Sequence, residues 1–384
     1  MNGEAFYREL LQRSCESFPA YPEGRYRGRG IVLCAGGPKH LSNAYVCLKF
    51  LRTFTDLPVE LFYAGKMEMP SAVGDLLRLD FAPIALTDIT LPRFREEHPF
   101  LTVRSFRGYQ IKPYALLHSS FEEIFYIDVD NIPLQSPALL FAYEKYYETG
   151  ALFWPDVAIT RSTSDELFRV FGVTADVLKR DLEFESGQIV VDKRRCWKAL
   201  LTTCLANSDV SDFRDYCYRH TLGDKDTFRL AFQHAGQPYH LVQHRALQTG
   251  SRHVVIPIPI PFTTYTFGIE HELGSFFPTG LLQHDPDGRP LFAHKTVSEW
   301  NMYLPFRNFL FIESADGELL DAAGLAKLED RGYGYLDEFR KRYMEYFGRE
   351  YFREFQGLLA RGIIFFLNIV KYWRTGNTSS SSQP

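Results

Sequence analysis

Three things are scarce in this sequence: long apolar runs, an excess of either charge, and closely spaced cysteines. The longest apolar stretch, Ile363 to Val370, is interrupted by Asn368. It falls far short of the roughly 20 residues that a bilayer-spanning helix needs. The first 19 residues carry Glu4, Arg8, Glu9 and Arg13, which leaves no apolar segment to act as a signal peptide or anchor. A soluble, cytoplasmic chain is therefore expected as written, with no transmembrane segment. Lys and Arg number 43 against 47 Asp and Glu, so the net charge is only −4 and no whole-molecule pull toward nucleic acid is expected. The six cysteines, at 15, 34, 47, 196, 204 and 217, form no Cys-x-x-Cys and no zinc-type spacing, and read as buried thiols.

What is present is core-forming material. With 384 residues, 45% hydrophobic and 15% aromatic, the chain can bury one large α/β core or two smaller ones. Gly30 to Gly37 reads as a buried strand entering a tight turn. Ala44, Cys47, Leu48 and Leu51 then recur at helical spacing, and Pro58 to Ala64 reads as the next strand, which makes a βαβ unit. A second unit runs from a helix with Pro113 in its first turn to the strand Ile124 to Ile127. Gln188 to Val191 is a further buried strand, and Phe228, Ala231, Phe232 and Ala235 mark a helix closed by Gly236. The expected division is an N-terminal helical leader (1–27), an α/β domain (28–320), a C-terminal helical extension (321–374) and a disordered Ser-rich tail (375–384).

Asp128 and Asp130 stand immediately after that second strand, separated by one residue. In extended chain, positions i and i+2 face the same side, so both carboxylates can aim into the crevice beyond the carboxyl ends of the strands, where open α/β sheets bind ligands. Such an Asp-x-Asp pair suits a hard cation, Mn²⁺ or Mg²⁺, that bridges a nucleotide diphosphate. Two other readings stand beside it: a turn cap before Pro133, or the nucleophile motif of an aspartyl-phosphate phosphohydrolase. The latter motif usually has Thr or Val where Ile132 stands.

The wider stretch 108–133, with Leu-Phe-Trp-Pro-Asp (152–156), Glu-Ser-Gly-Gln (185–188), Gly-Asp-Lys-Asp-Thr-Phe (223–228) and Gln-His-Asp-Pro-Asp-Gly-Arg-Pro-Leu-Phe-Ala-His (283–294), resembles the fungal α-mannosyltransferase family of the Mnn1 and Mnn2 type, in the same order. The resemblance covers roughly residues 28–305. It implies a GT-A, Rossmann-like fold with a mixed, mostly parallel sheet flanked by helices. It also implies GDP-mannose as donor, a glycan, glycolipid or glycoprotein as acceptor, and transfer with retention. The family's N-terminal anchor and stem have no counterpart here; if an anchor is missing from this sequence, a Golgi lumenal address is expected. An inert sugar-nucleotide-binding module is the alternative to an enzyme.

With that resemblance, His294 is the expected third metal ligand and His284 the reserve, each against the reading of a buried, metal-free histidine. Lys295 is expected to meet a phosphate. Glu185 is a nucleophile if retention proceeds by double displacement; if the acceptor attacks from the front face, Gln188 steadies the sugar. Ser186 and Gly187 otherwise read as a tight turn. Of Asp224 and Asp226, the resemblance implies that one contacts sugar hydroxyls, and either can also cap the following helix. Ala35, Gly36 and Gly37 let the backbone approach the nucleotide, or form a bare turn. Lys112 is a donor-site residue or a solvated lysine. The aromatic segment Tyr343 to Trp373, with Phe352, Phe355 and Leu359 at helical spacing, reads as core or as a helix in peripheral contact with a membrane.

Overall fold

The computed structural model describes residues 3–106, 108–157, 162–174, 182–259, 266–296, 300, 311–313 and 319–343, without the side chains of 252–277, 311 and 319–321. The strands, in chain order, are β1 (Arg29–Cys34), β2 (Val59–Tyr63), β3 (Ile84–Asp88), β4 (Glu123–Ile127), β5 (Asn131–Pro133), β6 (Ala151–Pro155), β7 (Phe184–Asp192), β8 (His240–Leu241), β9 (Leu247–Pro259), β10 (Thr266–His284), β11 (Pro290–His294), β12 (Phe311–Glu313) and β13 (Leu319–Asp321). A seven-stranded sheet has the order β3-β2-β1-β4-β7-β6-β8. Its pairs are parallel except those that β7 makes with β4 and β6, so a mixed, mostly parallel sheet is found as expected.

Alternation along the central strands builds the layers. Ile31, Leu33, Phe125 and Ile127 enter one apolar core with the helix Gly37–Leu51, whereas Val32, Ile124 and Tyr126 enter the other with the helices Ile111–His118, Trp197–Ala206 and Lys225–His234. Central strands covered on both faces are why β1 and β4 read as continuous apolar runs. The helix Lys225–His234 is followed by Gly236 at φ +62°, the left-handed stop that the sequence suggests.

A second, antiparallel sheet of six strands, β13-β12-β9-β10-β11-β5, grows from the end of β4. Its edge strand β5 begins at Asn131, one residue beyond Asp130, and pairs with β11 so that Asn131 lies opposite His294. That register brings residues 163 positions apart to the same spot.

The helical segment 323–343 belongs to the body of the molecule. Leu325, Leu336, Phe339 and Tyr343 join the first core, Glu338 meets Tyr45 and Lys49, and Arg342 pairs with Asp80. The N-terminal helix Gly3–Glu16 likewise buries Leu11 and Cys15 in the second core. Among the described residues no helix is long and apolar enough to cross a membrane. The membrane-contact reading of the aromatic C-terminal segment and the expected tail at 375–384 lie beyond residue 343, outside the described residues. The six cysteines are free thiols, all buried except the half-buried Cys34.

Candidate metal and donor site

At the carboxyl edge of β4 the chain turns sharply: Asp128 N–H donates to Gly187 O at 2.7 Å, and Asn131 N–H returns to Asp128 O at 3.1 Å. The side chains of Asp128, Asp130 and His294 converge here, each with a potential ligand atom within 4.8 Å of the others. His294 Nε2 is 3.1 Å from Asp130 Oδ1, and its Nδ1 is 3.5 Å from Glu185 Oε2. Pairing of β5 with β11 aims the imidazole, and Lys295 N–H fixes it by donating to Asp130 O at 3.1 Å.

Lys112, buried in the helix Ile111–His118, enters from the opposite face of the sheet. Its Nζ donates to Asp128 Oδ2 (3.1 Å) and to both the carbonyl and the hydroxyl of Ser186 (2.9 Å each), and lies 3.5 Å from Asp224 Oδ2. It is no solvated lysine. Tyr126, two residues before Asp128 on the same face, donates its hydroxyl to Asp128 Oδ1. Glu185 accepts the Gly187 N–H on both carboxylate oxygens at 3.0 Å, and Gln283 Nε2 approaches it at 3.4 Å.

Electrostatics follow from this crowding. Burial pushes the Asp128 carboxyl up, opposed by Lys112. Burial also works to raise Glu185, but His294 overrides it and holds the carboxyl at about 2. Burial alone would strip the proton from His294; Asp130 and Glu185 reverse that and raise its pKa well above the usual imidazole value. Lys112 is raised for the same reason, burial being outweighed by Asp128, Asp224 and Glu185. Asp224 is pushed up to about 6 by burial, against Lys112. Four carboxylates thus crowd around one permanent cation, Lys112, and an imidazole that can bind a metal ion once it gives up its proton. Asp130 Oδ1 and His294 Nδ1 are buried, and what satisfies them among the described residues is the set of ion pairs linking Asp130, His294 and Glu185. Oxygen donors, one imidazole and a deficit of positive charge fit Mn²⁺ or Mg²⁺.

The other expected site residues separate into two groups. Gln188, fully buried on the Ser186 face of β7, has neither amide atom hydrogen-bonded among the described residues. Asp224 stands at the N-cap of the helix Lys225–His234 yet makes no capping bond with its side chain, which leaves the carboxylate to Lys112 and the crevice. Ala35, Gly36 and Gly37 lie at the same carboxyl edge, since β1 pairs with β4 through Val32 and Tyr126. Burial and the Asp128 charge push the neighbouring Cys34 thiol up. A Cβ on Gly36 would fall 2.0 Å from Glu68 Oε2, so the Glu68 side chain demands that glycine, whereas Gly37, at φ +71°, has open space beside it.

Three expectations are corrected. Lys295 is fully buried, ion-paired with Glu329 and 4.5 Å from the Trp300 ring centroid, on the side of β11 away from His294, because adjacent residues of a strand face opposite ways. Asp226 is also fully buried: it accepts from Thr163 Oγ1 (3.0 Å) and Phe184 N–H (3.4 Å), which anchors the helix to the start of β7. His284 pairs with Pro290 at the far end of the β10–β11 ladder and is no part of the metal trio. Tyr126, Asn131 and Gln283 were not picked out as site residues from the sequence, and Ser186 was read as part of a turn; only Tyr126 carried a local signal, its i−2 relation to Asp128.

Comparison with known proteins gives this geometry a context. A family model described as a putative mannosyltransferase matches residues 28–184 and 175–255. The α-1,2-mannosyltransferase Mnn2 of Saccharomyces cerevisiae is 27% identical over 308 residues, 69% of this chain and 46% of the relative. An α-1,2-mannosyltransferase of Candida albicans is 31% identical over 190 residues, 45% of this chain and 28% of the relative. The chain thus spans less than half the length of these curated relatives. Among solved structures, mouse xyloside xylosyltransferase 1 aligns at 15% identity and a TM-score of 0.37, over 56% of this chain and 84% of that one.

Proposed function

We propose, on the premise that the chain belongs to the family of putative mannosyltransferases, that it transfers mannose from GDP-mannose to a glycan or glycoconjugate with retention at the anomeric carbon, in the presence of a divalent metal. One observation carries the reading: Asp128, Asp130 and His294, from two different sheets, converge at the carboxyl edge of β4 with Glu185 and Asp224 beside them. Asp128, Asp130 and His294 would hold Mn²⁺ or Mg²⁺, which supplies charge neutralisation at the diphosphate.

The remaining residues have roles of their own. Lys112 fixes Asp128 in one rotamer and screens it from Asp224. Asp224, free of capping duty, accepts hydrogen bonds from sugar hydroxyls, and the unpartnered Gln188 amide offers one donor and one acceptor to the same ring. Glu185 is held by the Gly187 N–H and faces His294. A carboxylate so engaged suits orienting the imidazole better than attacking carbon, which favours the front-face route: the acceptor oxygen bonds to the anomeric carbon on the face from which the diphosphate departs.

The test is thermal denaturation with Mn²⁺ and GDP, UDP or neither. A ligand at 100 times its Kd adds about 2.7 kcal/mol. A rise with GDP that needs Mn²⁺ and disappears in Asp130→Ala supports the reading. A rise with UDP alone changes the sugar, and no rise with either nucleotide overturns it. Free phosphate released from a phosphomonoester would instead point to Asp128 as a phosphohydrolase nucleophile.

A further inference from the structure

A second group of metal-ligating side chains lies in the core on the Lys112 side of the large sheet. His98 Nε2 is 3.6 Å from Glu97 Oε1, and His118 Nδ1 is 3.4 Å from Glu97 Oε2. The three side chains are 6%, 2% and 12% exposed for His98, His118 and Glu97. Aromatic rings wall them in: Phe94 lies 4.8 Å from the His118 ring, and Phe100 and Trp197 lie 5.7 and 6.0 Å from His98. Both ring nitrogens of His98 are buried with no hydrogen-bond partner among the described residues, and His118 Nδ1 has its 3.4 Å approach to Glu97. A buried polar atom left without a partner is costly, and native proteins avoid that cost with bound water or an ion.

We propose that Glu97, His98 and His118 form a second metal site for a borderline divalent cation such as Zn²⁺. Two imidazoles and one carboxylate are a donor set that zinc accepts, with a fourth position left to water. Around tetrahedral zinc, with bonds of about 2.0–2.1 Å, neighbouring donor atoms stand about 3.3 Å apart. The observed 3.6 and 3.4 Å separations run to Oε1 and Oε2 of Glu97 and are long for strong hydrogen bonds, and one donor atom from each residue lies within 4.8 Å of the others, so a modest inward shift gathers the three donors around one ion. Arg25, ion-paired with Glu97, takes the place of the outer partner that ligating carboxylates keep. This nitrogen-rich site contrasts with the oxygen-rich trio at Asp128. His118 ends the helix that carries Lys112, so a metal here ties that helix to the segment at 97–98 and steadies Lys112 from its far end.

Elemental analysis of the full chain grown with zinc, alongside Asp130→Ala, His98→Ala and His118→Ala, tests the assignment, with circular dichroism checking each fold. One zinc per chain is expected in the wild type and in Asp130→Ala, and none in the two histidine variants. If those variants fail to fold, the wild type decides by itself: after chelation, Co²⁺ should restore one equivalent with the intense visible bands of a four-coordinate site. No stoichiometric zinc and no such cobalt spectrum, or a zinc lost in Asp130→Ala but kept in His98→Ala, would overturn the site.

Discussion

Asp226 shows how a residue's neighbours decide its job. Its sequence context matches that of Asp224, two positions earlier, yet one carboxylate reaches the crevice and the other anchors a helix. Burial and the nearby Glu183 charge push Asp226 up to about 6, against Lys225 and Arg229. The folded pKa thus exceeds the unfolded one, so the folded state holds the proton more tightly. This contribution to stability is complete below about pH 4 and is lost as pH rises through about 6. Asp226→Asn keeps an acceptor and carries no charge. Relative to wild type it should be near neutral at pH 4 and more stable by up to about 3 kcal/mol at pH 7. Urea unfolding of both proteins across that range checks this; a difference that does not grow with pH would show that Lys225 and Arg229 fully compensate the buried charge.

At the scale of the element, β7 decides whether the site can assemble. Gly187 has extended backbone, not the tight turn that Ser-Gly suggests, and its glycine identity comes from crowding. A Cβ there would lie 2.7 Å from His294 Cε1, 2.8 Å from Glu185 Oε2 and 2.9 Å from Asn131 Nδ2. Gly187→Ala should therefore displace the imidazole, cost about 1–3 kcal/mol of stability and abolish the Mn²⁺-dependent shift with GDP; isothermal titration with Mn²⁺ reads the loss directly. Local rules made the Asp128 and Asp130 pair legible, because a strand's alternation and its exit are set within a few residues. β1, β2 and β4, and the helix before Gly236, were legible for the same reason. The β9–β10 hairpin was not, since Pro257, Pro259 and Pro278 each remove a ladder donor and disguise a strand. Lys295 was misplaced because its partner Glu329 lies 34 residues on, beyond the reach of any local pattern.

The same pair bears on how the whole molecule holds together. Lys295 and Glu329 are both fully buried, and they join β11, which carries His294, to the helical segment 323–343. Gly332 of that segment lets the Trp300 ring lie flush, since a Cβ would fall 2.1 Å from it, and Trp300 in turn bonds to Asn43 in the helix Gly37–Leu51. The described part of the C-terminal helical extension, 323–343, therefore closes the first core and braces the strand that carries His294. Breaking a buried ion pair from one side typically costs about 3–5 kcal/mol, whereas replacing both partners with apolar residues can be nearly neutral. Glu329→Ala should lower the single cooperative melting transition of the whole chain by that measure and weaken Mn²⁺ binding with it. Lys295→Met combined with Glu329→Leu should recover most of both. If Glu329→Ala instead produced a separate early transition and left Mn²⁺ binding intact, the segment 323–343 would be an independent unit, and the support for His294 would lie entirely in the pairing of β11 with β5 and β10.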